Sequence, residues 1–183
     1  MKTTHLLAGT ALVALLGAAS VQAQEKTAHE AMTAPVSVST KNFVKSASVG
    51  NEFEIETSQL ALDRSTEEDV RKFAQHMIDD HGTAQQNLEA ALPTDIDPLL
   101  AQHKLDPKHQ HMYDVLKAAK PANFNAAYLH AQHNAHSEAI GLFTTYAKSG
   151  DQKDLRQFAQ NTLPTIEDHA KQLSTIHATA DAK

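Results

Sequence analysis

The chain has 183 residues, 41% hydrophobic and 21% charged, with 16 Lys and Arg against 22 Asp and Glu for a formal net charge of −6. This is the profile of about one soluble globular domain, and its acidity argues against a nucleic-acid partner. The absence of cysteine removes disulfides, iron–sulfur clusters, thiolate metal sites, cysteine nucleophiles and lipid attachment through cysteine. Histidine is the anomaly, at 12 residues.

Residues 1–23 read as a secretory signal peptide: Lys2, an apolar run from Leu6 to Ala19, then Val21-Gln22-Ala23 as a small-x-small cleavage site. The run is shorter than the ~20 residues that span a bilayer. The expected mature chain is therefore exported to the periplasm, begins after Ala23 and carries no transmembrane helix; association with the outer membrane stays open. Cleavage removes one Lys and one His, leaving a net charge of −7 and 11 histidines. If all of these were protonated the charge would change sign, at about pH 5 to 6.

Residues 24–39, polar with Pro35, are expected to be a flexible lead-in. The spacing then predicts a helical domain over 40–178 and a short tail over 179–183. Its first helix runs from Thr40 to Arg64, with Phe43, Ala47, Glu54, Ala61 and Leu62 on the inner face. Ser65 and Glu68 form a capping box that opens a second helix. Val70, Phe73, Ala74, Met77, His81, Ala84 and Leu88 are its inward stripe, and it ends at Pro93. Asp106-Pro107 is an N-cap followed by proline at the first helical position, opening a short helix to about Ala119. Another helix is expected from near Asn123 to Lys148, closed by Gly150, with a seam of Leu129, Gln132, His136, Ala139, Phe143 and Tyr146. Asp151 to Asp154 cap the last helix, whose stripe is Leu155, Phe158, Thr162, Ile166, His169, Leu173 and Ile176, with Pro164 expected to kink it.

Asp69-Val70-Arg71-Lys72-Phe73-Ala74-Gln75 is echoed by Asp154-Leu155-Arg156-Gln157-Phe158-Ala159-Gln160, and each heptad is followed by an Asp-His pair, Asp80-His81 and Asp168-His169. A duplicated helical hairpin accounts for this. Two hairpins joined by roughly 30 residues predict an all-α, ferritin-like four-helix bundle whose long crossover contains a short helix and makes the second and third long helices parallel. A plain antiparallel bundle with a decorated loop is the alternative.

His81, His136 and His169 lie on the seams of three helices, and Glu54 takes the same role on the first. Counted from their turns, Glu54 and His81 stand ~16 and ~24 Å along one hairpin, His136 and His169 ~21 and ~28 Å along the other, so all four reach its middle third. One polar side chain per helix at a common depth is how bundles build metal sites. Two readings stay open: a structural network of hydrogen-bonded imidazoles, and a site for a transition metal, with iron, copper, zinc and nickel as the candidates. A di-iron centre would need Glu-x-x-His on two helices, but Ile78 and Ile166 occupy the positions three before His81 and His169. Asp80 and Asp168 point about 100° away from their neighbouring histidines. A weaker peripheral metal cluster is His109, His111, His130 and His133, with His103 nearby; a solvated histidine-tolerant surface is its plainer reading. His76 falls off the stripe and is expected at the surface.

There is no G-x-S-x-G elbow, phosphate-binding glycine loop or His-Glu-x-x-His, so the balance leans away from an enzyme. Three functions remain: a periplasmic binding or envelope-stress protein, a metal-dependent oxidoreductase or metal-storage protein, and a module that binds an envelope protein partner.

The chain resembles a bacterial exported family of ferritin-like bundles, domain of unknown function 4142, some of whose members are described as outer membrane proteins. The resemblance rests on Phe43-Val44 with Ala47, Glu54-Ile55 with Leu60-Ala61, Phe73-Ala74 with Met77 and Asp80-His81, Phe124 with Tyr128, His136, and Phe158-Ala159 with Leu163-Pro164 and His169. It implies a ferritin-like bundle with Glu54, His81, His136 and His169 as recurring polar positions, and no assigned activity. The chain departs from the family at Asn125, where an acid is usual, and in the extra His130 and His133.

Overall fold

The computed structural model describes residues 38–176, and all regular structure among them is helical. The expected signal peptide, all but the last two residues of the lead-in, and the tail lie outside the described residues, as do His5, His29 and His177. The elements are α1 (Thr40–Arg64), α2 (Glu68–Ala90), a 3-10 turn (Pro98–Ala101), α3 (Pro107–Lys117), α4 (Pro121–Ser149) and α5 (Lys153–Leu173). No helix among the described residues is long and apolar enough to cross a membrane.

Helix α1 packs against α2 and α4, and α5 against α4 and α2. Side-chain pairings give the directions. Thr40 meets the Tyr146 hydroxyl at 2.7 Å and Ser58 meets the Tyr128 hydroxyl at 2.8 Å, so α1 and α4 are antiparallel. His76 pairs with Gln172 and Asp80 with His169, which makes α2 and α5 antiparallel as well. Both hairpins reverse direction at short turns, so α2 and α4 run the same way, as the long connection between them allows.

Two apolar clusters divide the interior. One holds Phe43, Leu88, Phe143, Tyr146, Leu155 and Phe158; the other holds Val70, Phe73, Met77, Leu116, Phe124 and Tyr128. The stripes expected for α2 and α5 are buried, apart from Thr162 and Ile176, which are half-buried. On α4 the inner face is set by Phe124 and Tyr128, while Leu129 is only half-buried. Between the clusters lies a buried polar layer that includes Asn51, Glu54, His81, Gln132, His136 and His169.

Two helix starts differ from expectation. Ser65 does not form the capping box: its N–H bonds the Ala61 carbonyl, which makes it the last residue of the α1 turn, and its hydroxyl accepts from the Glu67 N–H, so α2 begins only at Glu68. Asp151 does not cap α5; its carboxylate accepts from Thr40 and from the Tyr146 hydroxyl, tying the α4–α5 turn to the start of α1. Gln152 stands at the N-cap of α5 instead, and α5 continues as one helix through Pro164. By contrast, Asp106 caps α3 as expected, accepting from the His109 N–H at 2.9 Å with Pro107 following. Arg64 then fastens α3 from outside, donating to the carbonyls of Leu116, Lys117 and Ala119 and lying 4.2 Å above the Phe124 ring.

Gly150 is needed for room rather than for backbone freedom. Its φ of −60° and ψ of 142° suit any residue, but a Cβ there would stand 2.5 Å from the Tyr146 ring. Because that ring is buried and stacked 3.9 Å from Phe43, it has nowhere to retreat. Gly150→Ala is expected to lower stability by about 1–3 kcal/mol in urea unfolding, as overpacking does, and Gly150→Ala with Tyr146→Leu to recover part of that loss. A single variant as stable as the parent would contradict this.

Candidate metal centre

The polar layer contains the four residues expected to share one depth, each delivered by a different helix. His81 on α2, His136 on α4 and His169 on α5 each bring one ring nitrogen within 4.8 Å of the others, with ring centroids 5.4–5.7 Å apart. All three are at most 5% exposed. Glu54 on α1 is buried beside them, its Oε1 at 3.3 Å from His136 Nδ1, outside the group of three.

Hydrogen bonds fix which nitrogen of each ring carries the proton. The Ala101 carbonyl can only accept, so the Gln85 side chain donates to it through Nε2 at 2.9 Å. Gln85 Oε1 is then free to accept from Asn51 Nδ2 at 3.2 Å, which turns Asn51 Oδ1 toward His81 Nδ1, 3.0 Å away. This chain has one polarity, so His81 donates from Nδ1. His136 donates from Nδ1 to the Gln132 carbonyl at 2.9 Å, and His169 donates from Nε2 to the Asp80 carboxylate at 2.9 Å. A neutral imidazole carries one proton, so the remaining nitrogens hold lone pairs: His81 Nε2, His136 Nε2 and His169 Nδ1. All three are buried and have no hydrogen-bond partner, as is Glu54 Oε2. Each such group costs about 1–3 kcal/mol when left unpaired.

Burial keeps this centre uncharged. It pushes the Glu54 carboxyl up to about 8, against an opposing hydrogen bond from Gln132. It pushes His136 down to about 4, against the Gln132 carbonyl that favours the protonated ring. His81 is driven well below its usual value by burial and by the neighbouring imidazoles, and His169 is lowered by burial while Asp80 resists. Between these limits the Glu54–His136 contact joins two neutral groups and is not an ion pair.

Asp80 and His76 have a larger part than expected. Asp80 does point away from His81 along its own helix, but α5 lies on that side, and the carboxylate meets both His169 and His76, the latter at 3.0 Å. His76, Asp80 and His169 form a second group of metal-type ligands. Asn51 and Gln85 were also missed; Gln85 lies four residues after His81 on the inward stripe, which was the available signal. The structure does not gather the peripheral set into such a group. His111, His130 and His133 are exposed; the buried face of α4 runs through Tyr128, Gln132, His136 and Phe143, and His136 stands at its edge with His133 one step beyond it. His130 meets Asn134, His109 is held by Asp106 and packs edge-on to Phe53, and His103 sits between Glu52 and Glu89.

The family described as Domain of unknown function (DUF4142) matches residues 22–176. The chain belongs to that family. Neither the curated proteins nor the solved structures yield a match. For this DUF4142 chain the chemistry must therefore be argued from the site. Asn125, the departure from the family pattern, is buried on α4.

Titration of the layer sets an expected stability profile for the metal-free protein. Unfolded histidines take up protons near 6.5 and the buried ones only at lower pH, so their contribution is present above 6.5 and lost as pH falls toward about 4. Glu54 works in the opposite sense: its contribution is complete below its unfolded value of 4.5 and is lost as pH rises through about 8. Three groups outweigh one below pH 6.5, and Glu54 alone acts above it, with a slope of at most ~1.4 kcal/mol per pH unit. Urea midpoints measured with chelator present should peak near pH 6.5, and Glu54→Gln should flatten the alkaline limb only. A wild-type curve still rising at pH 8 would refute this.

Proposed function

We propose that the protein is an exported, ferritin-like four-helix bundle that holds one transition-metal ion through His81 Nε2, His136 Nε2 and His169 Nδ1. The observation that carries this reading is the set of three fixed tautomers, on rings 5.4–5.7 Å apart, whose lone pairs are buried and without a donor. A purely structural network would pair those nitrogens with one another or with hydroxyls. Second ring nitrogens held by carbonyl and carboxylate acceptors are the usual support of histidine ligands, because they orient the ring and raise its basicity.

Three neutral imidazoles suit copper, zinc or nickel better than iron, which favours more carboxylate. Glu54 or water is available to a fourth position. The missing Glu-x-x-His pairs speak against paired-iron chemistry, and a single ion speaks against bulk storage. The signal-like residues 1–23 support export, and imidazole ligands are insensitive to the oxidising conditions that convert thiols to disulfides. The oxidoreductase alternative draws on one feature, a cavity of about 470 Å³ between α1 and α4 lined by Glu54, His81 and His136, through which a small molecule would reach the ion.

Protein purified without a histidine tag is expected to bind one equivalent of Zn(II) or Cu(II) by calorimetry, and free ion at a hundred times Kd should stabilise it by about 2.7 kcal/mol. The His136→Leu variant separates the readings. It removes an unsatisfied nitrogen and leaves the Gln132 carbonyl in its helix, so a metal site loses stoichiometric binding while the metal-free protein keeps or gains stability. A structural network instead loses stability with no metal at any stage, and that result would sink the proposal.

A further inference from the structure

The central layer opens to solvent by two grooves of different charge. The one between α1 and α4 is lined by Lys45 and Lys108 as well as by acids. The one between α2 and α5 is lined by Asp80 and Asp154, with amides and hydroxyls and no lysine or arginine, and it includes both His81 and His169. In the first groove Asp106 and Glu138 balance the two lysines, whereas the charges of the second are acidic alone, so a cation approaching the histidines is drawn more strongly to the second.

Ligand groups are graded from the surface to the mouth of that groove. His76, one turn before Asp80 on α2, lines an adjoining depression with Asp69 and Lys72; its side chain is 44% exposed, Asp80 34% and His169 2%, and the Asp80 Oδ2 atom lies 3.0 Å from His76 Nε2 and 2.9 Å from His169 Nε2. The His76 and His169 rings meet edge-on at 5.1 Å. Neither apolar packing nor helix capping calls for a histidine at position 76, whose ring bridges Asp80 and Gln172 across the α2–α5 seam. We propose that His76 and Asp80 form a surface capture site for a divalent transition-metal ion, from which it passes along the α2–α5 groove to the central histidines. This rests on the central site reading.

His76 supplies an exchangeable nitrogen and Asp80 the charge. Two ligands, part-exposed and flanked by water, bind weakly and release quickly, as a way-station must. Because His76 belongs to the path and not to the end state, its loss slows loading and unloading by the same factor and leaves the equilibrium constant unchanged.

The test is Zn(II) transfer from a chromophoric chelator, followed by stopped flow, in wild type, His76→Gln and Asp80→Asn. The asparagine keeps an acceptor for His169 but removes the carboxylate charge that supports it, so Asp80→Asn is read by its salt dependence and His76→Gln by its Kd. His76→Gln is expected to load at least about tenfold more slowly with unchanged Kd, and Asp80→Asn to load more slowly, to bind more weakly and to lose most of the ionic-strength dependence of the wild-type rate, consistent with the size of steering effects. Wild-type loading rates in both variants would overturn the capture site while leaving the central site standing. A weaker Kd with an unchanged loading rate in His76→Gln would overturn it too, since His76 would then hold the final ion. A wild-type chain that takes up no zinc removes the central site and this proposal together.

Discussion

Three imidazoles share one buried layer, and each is held by an acceptor that can play no other role. A backbone carbonyl at Gln132, a carboxylate at Asp80 and an amide at Asn51, itself committed through Gln85 to the Ala101 carbonyl, leave no choice of tautomer. Two of these bonds cross between helices and lock their register: Asn51 to His81 ties α1 to α2, and Asp80 to His169 ties α2 to α5. Sliding α1, α2 or α5 by one turn would break such a tether and leave a buried imidazole with neither nitrogen paired, so the polar layer specifies an alignment that the apolar clusters alone would enforce less strictly.

The same bonds decide what the layer can bind. Water could donate to a lone pair, but three buried acceptors on three rings that each bring a nitrogen within 4.8 Å of the others are better matched by a cation than by a donor with two hydrogens. A protonated imidazole is the competing cation, and burial drives all three rings away from that state. Glu54 holds its proton for the same reason, so the side chains of the layer carry no net charge to attract an ion from a distance. That attraction has to come from the grooves, where Asp80 and Asp154 lie toward α2 and α5.

Much of this was legible in the amino-acid order. Period-3.6 stripes identify the inward faces because a helix buries one side, and a histidine interrupting an apolar stripe has to be buried with it. That logic places Glu54, His81, His136 and His169 together. It gives the wrong impression wherever a second helix decides the outcome. Asp80 points away from His81 on α2, yet α5 fills that direction and returns His169 to the carboxylate. Ser65 has the residues of a capping box, but its N–H is already taken by α1. His130 and His133 share a helix with His136, and no neighbour lies on their side to bury them.

The internal echo shows where the two halves diverge. Val70 and Leu155, Phe73 and Phe158, and Ala74 and Ala159 occupy equivalent places in the two heptads, and all six are buried. The following Asp-His pairs are not equivalent, because the second arrives three residues later. Asp80 therefore reaches His169 across the seam, whereas Asp168 stays exposed and His81 takes its acceptor from Asn51 on α1. Strict symmetry would have placed a carboxylate against each of these histidines and tethered both by the same ring nitrogen. The offset instead tethers His81 by Nδ1 and His169 by Nε2, and it puts the carboxylate beside His76 on the single seam where α2 meets α5. The two like heptads thus supply matching parts of the frame, and the three-residue offset in the Asp-His pairs that follow them supplies the asymmetry that gives the layer an acidic side.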